Sequence, residues 1–86
     1  MQIEKDCREI IRKFVLENYL FTDDQSMLDD STSFLKSGII DSMGMLDIVS
    51  LIENEFGIKV EKEEVNSKNF DSVDNITAYI KDKKNA

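Results

Sequence analysis

A serine that follows an aspartate at the head of an amphipathic run is the residue of this chain best placed for chemistry. In Gly38-Ile39-Ile40-Asp41-Ser42-Met43-Gly44 the pattern turns helical and continues to Phe56. The side chain of Asp41 is suited to accept a first-turn backbone N–H, which predicts a helix beginning at Ser42 with Asp41 as its N-cap. Ser42 then lies at the positive end of the helix dipole, where unpaired N–H groups favour a phosphate ester on its hydroxyl. The chain has no histidine, so Ser42 lacks an imidazole to activate it as a hydrolytic nucleophile. A serine that cannot act alone but suits a phosphate is expected to be a modification site. The plainer alternative is that Asp41 and Ser42 only cap a helix.

Other chemistry is sparse. Asp23-Asp24 and Asp29-Asp30 lack the glycine and the spaced glutamate of a calcium loop, so no metal site is expected. The single cysteine, Cys7, has no internal disulfide partner. It falls on the apolar face of the first helix, where a buried thiol is the ordinary case. Asn75-Ile76-Thr77 fits a glycosylation sequon, but it lies in an expected helix of a chain with no signal-peptide core.

The elements that would position Ser42 follow from periodicity. Ile3, Cys7, Ile10, Ile11, Phe14 and Val15 recur at helical spacing, predicting a first helix from Gln2 to Tyr19. A connection rich in Thr, Asp and Ser runs from Leu20 to Asp41, with Leu28, Phe34, Leu35, Ile39 and Ile40 as expected anchors and a turn near Ser33–Lys36. The serine helix spans Ser42 to Phe56, with Met45, Val49, Ile52 and Phe56 as its core stripe, Ile48 beside them, and Gly57 as its stop. Glu61 to Val65 suits a short third helix. Asp71 or Ser72 caps a last helix to Lys83, with Val73, Ile76, Tyr79 and Ile80 turned inward. The fold class is therefore all-α: a four-helix bundle with three longer helices, one short third helix and a long first loop. Residues 1–86 form one expected domain.

Composition narrows the function classes. The 18 acidic and 11 basic residues give a net charge of −7, which argues against nucleic acid and suits partners with basic docking surfaces. No segment approaches the roughly 18–20 apolar residues of a membrane span. A reducing cytoplasmic setting and a monomer are the defaults. Without histidine, and with its one cysteine on an apolar face, the chain is not expected to be an enzyme.

With these residues in place the chain resembles the acyl carrier protein family. Asp41-Ser42-Met43 matches that family's Asp-Ser-Leu/Met signature, Phe34 stands eight residues upstream of Ser42, and Phe56 fourteen downstream. The order of elements matches as well. The resemblance implies that Ser42 carries 4′-phosphopantetheine, joined from coenzyme A by a phosphopantetheinyl transferase. Acyl or aminoacyl groups would then ride on its thiol as thioesters. It implies a stand-alone carrier with Asp41 as helix cap and transferase recognition residue, and Met43, Leu46, Asp47 and Glu53 as a docking face. The implied partners are that transferase, an acyl- or aminoacyl-loading ligase, and synthase or transferase enzymes. Gly38-Ile39-Ile40 before Asp41 and Gly44 after Met43 depart from the fatty-acid synthesis pattern. They look more like carriers of aminoacyl, D-alanyl or specialised acyl groups. A peptidyl carrier is a related alternative, and an unmodified acidic helical adaptor is the alternative of a different class.

Overall fold

The computed structural model describes residues 3–85. Three long helices carry it: α1 (Ile3–Val15), α3 (Ser42–Phe56) and α5 (Val73–Asn85). Two single-turn helices, α2 (Phe34–Ser37) and α4 (Ser67–Phe70), and two 3-10 turns, Gln25–Met27 and Lys62–Glu64, fill the connections. The all-α class is as the periodicity predicts. Gln2, the expected first helical residue, lies outside the described residues, as do the side chains of Ile3 and Glu4. Among the described residues no helix is long and apolar enough to cross a membrane.

Cys7, Ile11 and Val15 form the buried stripe of α1, and Val73, Ile76, Tyr79 and Ile80 that of α5. Their i, i+3, i+4 spacing puts each set on one face, and the two helices pack along each other. Phe34, Leu28, Ile40 and Phe70 close the same core. Each such side chain contributes roughly 1.5–3 kcal/mol by leaving water, so a core of this size depends on every one of them.

The long connection is stitched down rather than loose. Arg8 pairs with Asp30 at 3.2 Å and with Asp74. Arg12 pairs with Asp30 at 2.7 Å and also donates to the Gln25 carbonyl. The Asp74 N–H donates to the Asp30 carbonyl, tying the connection to the start of α5. Leu28, Phe34 and Ile40 anchor it as expected, with Ile39 half-buried; Leu35 does not, being 41% exposed. A single-turn helix buries only one side of its turn, and Phe34 occupies that side.

Two further expectations are corrected. The core stripe of α3 is Gly44, Met45, Ile48 and Ile52, while Val49 and Phe56 are only half-buried at its edges. On a helical wheel those two sit on one flank of the buried arc, which Gly44 extends on the other. Lys62–Glu64 is a 3-10 turn, its preceding Glu61 N–H bonded to Glu64 Oε1 at 2.9 Å. The sequence reading missed α4, where Asn66 caps the turn by accepting the Asn69 N–H and Phe70 enters the core. Of the two expected caps of α5, Ser72 is the one that acts, accepting the Asn75 N–H at 3.1 Å.

Candidate functional site

The approach to Ser42 is held by a residue far away in sequence. Ser33 caps α2 by accepting the Lys36 N–H, and Gly38 ends it in the left-handed region at φ 76°. That reversal points Ile39 and Ile40 back toward the core, where Ile40 is buried. Asp71 clamps the whole turn to the α4–α5 corner. Its carboxylate accepts the Leu35 N–H at 2.9 Å and the Ser33 hydroxyl, and its carbonyl accepts the Phe34 N–H at 2.7 Å. Nothing local in the sequence marks this role for Asp71, because its partners are some three dozen residues upstream.

The helix start is as the residues require. Asp41 has extended backbone and its Oδ1 accepts the Gly44 N–H at 2.9 Å, so it is the N-cap of α3. Ser42 is the first helical residue and is exposed. The N–H groups of Ser42 and Met43 have no preceding turn to bond within α3. They leave positive character beside the serine hydroxyl, which suits the phosphate of a phosphopantetheine ester. Met43 is 71% and Leu46 51% exposed, forming an apolar surface beside Ser42.

Tyr19 is the site residue that sequence reasoning missed. The last turn of the first helix widens to π-helical hydrogen bonding over Leu16–Leu20 and stops at Phe21, whose φ of 54° is left-handed. The extra residue in that turn changes the direction of the side chains that follow it. Tyr19 thereby reaches α3. A Cβ placed on Gly44 would lie 2.9 Å from the Tyr19 hydroxyl and 2.5 Å from Ile40 Cγ2. Gly44 is therefore glycine because Tyr19 and Ile40 close over it. The Tyr19 hydroxyl donates to Asp47 Oδ2 at 2.9 Å. Burial first, then the bond to Asp47 and the charges of Asp47 and Asp41, push the Tyr19 phenol up to about 12. It stays protonated and remains a donor. A short aromatic signal, Phe14 followed by Tyr19, was present in the sequence, and the two rings lie 6.0 Å apart. The π turn that aims Tyr19 had no signal.

Asp41, Met43, Leu46 and Asp47 are thus gathered with Ser42 on the first two turns of α3. Glu53 is not among them. It stands eleven residues from Ser42, roughly 16 Å along the helix at 1.5 Å per residue. Its carboxylate is half-buried and accepts the Val60 N–H at 2.9 Å, closing the chain reversal after Gly57. The charge of Glu53 also bears on Tyr79 of α5. Burial, the bond to Glu64 and then the charges of Glu64 and Glu53 raise the Tyr79 phenol.

The chain is similar to known proteins over most of its length. Residues 16–80 match the family model described as phosphopantetheine attachment site. A D-alanyl carrier protein of Streptococcus uberis is 33% identical over 67 residues, covering 78% of this chain and 84% of that protein. A chain in the crystal structure of an FAD-dependent dehydrogenase superposes with a TM-score of 0.68 at 30% identity, covering 81% of this chain and 97% of that one.

Proposed function

The chain belongs to the phosphopantetheine attachment-site family, and we propose that Ser42 is the residue through which its 4′-phosphopantetheine is joined. The protein carries acyl or aminoacyl groups as thioesters on that group and presents them to partner enzymes. The observation that carries the assignment is an exposed serine at the first position of a long helix, behind a capping aspartate. When bound, the group supplies a thiol on a long arm, which holds the cargo as a thioester. The chain's own residues do simpler work. Asp41 fixes the helix start, α3 offers its N–H groups to the phosphate, and Met43, Leu46 and Asp47 offer a surface to the enzyme that must reach Ser42. In this reading the base that removes the hydroxyl proton comes from that enzyme, because the neighbouring Asp41 carboxylate is engaged in capping the Gly44 N–H and the chain offers no histidine. The protein itself catalyses nothing in this reading, and it works where coenzyme A and reduced thiols abound.

For the cargo we propose an amino acid, D-alanine first, or a specialised short acyl group, loaded by an adenylating ligase. The D-alanyl carrier relative supports this. Gly44 adds no weight to it, because packing against Tyr19 and Ile40 accounts for that glycine. A flavin dehydrogenase acting on tethered cargo is a second partner class, favoured by the likeness to a chain in such an enzyme's crystal structure.

Incubation with coenzyme A and a phosphopantetheinyl transferase, read by intact mass, tests the attachment. Wild type should gain the mass of one group and Ser42→Ala none, with both folded by circular dichroism. Labelling that persists in Ser42→Ala ends the assignment. Absence of labelling in wild type would favour the unmodified adaptor. A loaded protein that supports fatty-acid elongation as well as a housekeeping carrier would refute the cargo proposal.

A further inference from the structure

Between the π turn that ends the first helix and the middle of α3 lies an open groove of about 500 Å³, lined by Phe14, Asn18, Tyr19, Asp47, Ser50 and Leu51. Its walls are mixed: Phe14, Tyr19 and Leu51 are apolar or aromatic, Asn18 and Ser50 are polar, and Asp47 is the one charged residue among them. We infer that this groove receives a basic side chain of the transferase that modifies Ser42, and that Tyr19 is the positioning residue that aims the Asp47 carboxylate at it. The inference rests on the reading that Ser42 is modified.

Three observations carry it. Asp47 is exposed, and an exposed carboxylate ordinarily samples several rotamers. Here the Tyr19 hydroxyl holds one oxygen at 2.9 Å, leaving the other free to accept. The Tyr19 ring is itself fixed, tilted against Phe14 and closed over Gly44, where a Cβ would clash with it. The charge that results is preorganised, so a cationic partner need not order it on binding.

The occupant follows from charge and reach. The chain carries −7, and an acidic group above aromatic walls suits a guanidinium or ammonium on an aliphatic stem. Asp47 lies five residues beyond Ser42, roughly 7.5 Å along α3. An enzyme acting on the far thiol of the arm can bind elsewhere. The transferase must bring its active centre to the serine oxygen itself and therefore covers this part of α3.

The test uses the apo protein with coenzyme A and a phosphopantetheinyl transferase. Values of kcat and KM for the carrier are measured at low and high salt for wild type, Tyr19→Phe, Asp47→Asn and the double variant. Tyr19→Phe keeps the ring over Gly44 and removes only the donor. KM should rise roughly twofold to fivefold at low salt, the span of an exposed charge contact. The change in kcat should be negligible, and high salt should erase the KM difference. In the Asp47→Asn background Tyr19→Phe should add nothing, since residues acting through one contact are non-additive. An unchanged KM in Tyr19→Phe, or a rise that survives in Asp47→Asn or at high salt, overturns the positioning role. An effect seen only when the holo protein is loaded would put the pantetheine arm in the groove, and would overturn the assigned occupant. Failure of the underlying reading looks different: none of the four proteins, wild type included, would gain mass.

Discussion

Replacing Gly44 with alanine sets two known effects against each other. Gly44 is helical, and alanine at an unstrained helical position is worth about 1 kcal/mol over glycine. Against that gain stands the crowding at this position. The new Cβ would come within 2.5 Å of Ile40 Cγ2 and 2.9 Å of the Tyr19 hydroxyl. Both distances lie below any ordinary carbon contact, so something must move. Ile40 is buried and β-branched, so moving Cγ2 away takes either rotation about its stiff χ1 into a poorer rotamer or a shift of its backbone. Overpacking of this kind costs about 1–3 kcal/mol. The displaced Tyr19 also loses its bond to Asp47, a further cost of about 0.5–1 kcal/mol for an exposed pair. The net expectation for Gly44→Ala is destabilisation by about 1–2 kcal/mol. Thermal melts followed by circular dichroism should show Tm lower by at least 4 °C or so, given about 4–8 °C per kcal/mol in a domain of this size. A Gly44→Ala protein as stable as wild type, or more so, would refute the idea that Tyr19 and Ile40 dictate the glycine. The cargo argument from Gly44 would then regain its force.

Three other outcomes are expected. Asp71→Ala removes the acceptor for the Leu35 N–H and the Ser33 hydroxyl, and urea melts should show a loss of about 2 kcal/mol; Asp71→Asn should recover part of it. Glu53→Ala should lower stability by about 1 kcal/mol through the lost Val60 N–H bond, while Glu53→Gln, which can still accept that bond, should leave both stability and transferase KM close to wild type. If Glu53→Gln raises KM as much as Asp47→Asn does, Glu53 belongs to the docking face after all. The Lys83 ammonium first, and then the Glu61 N–H, hold the Glu64 carboxyl below the usual glutamate range. A depressed folded value means that the stabilisation is fully present above the ordinary glutamate pKa and is lost as pH falls through the folded one. The advantage of wild type over Glu64→Gln should therefore shrink on acidification, and a constant difference in urea melts across that window would refute the pairing.

The serine helix was legible residue by residue. Asp41 at its start, Gly57 at its end and the apolar spacing between them are local signals, and the helix runs from Ser42 to Phe56 as they require. The inward faces of α1 and α5 were equally plain, because amphipathic periodicity depends only on neighbours three and four residues apart. α4 was not legible. A single turn carries too few residues for periodicity, and its existence depends on Asn66 as a cap and on Phe70 finding the core.

The division is sharpest around Ser42. Sequence alone marked the place: a serine behind a capping aspartate at the head of an acidic amphipathic helix, in a chain without histidine. It also determined that Met43 and Leu46 would lie outside the core. Tertiary structure decided which carboxylates stand with them. Asp47 and Glu53 both fall outside the core stripe that the sequence predicts for α3. One is held by Tyr19 beside Ser42, and the other is drawn into the turn at Val60 near the far end of α3. Tyr19 and Asp47 are 28 residues apart, and Leu35 and Asp71 36. A hydrogen bond needs its partners within about 3 Å and in line, and for residues so separated only the packed fold brings that about.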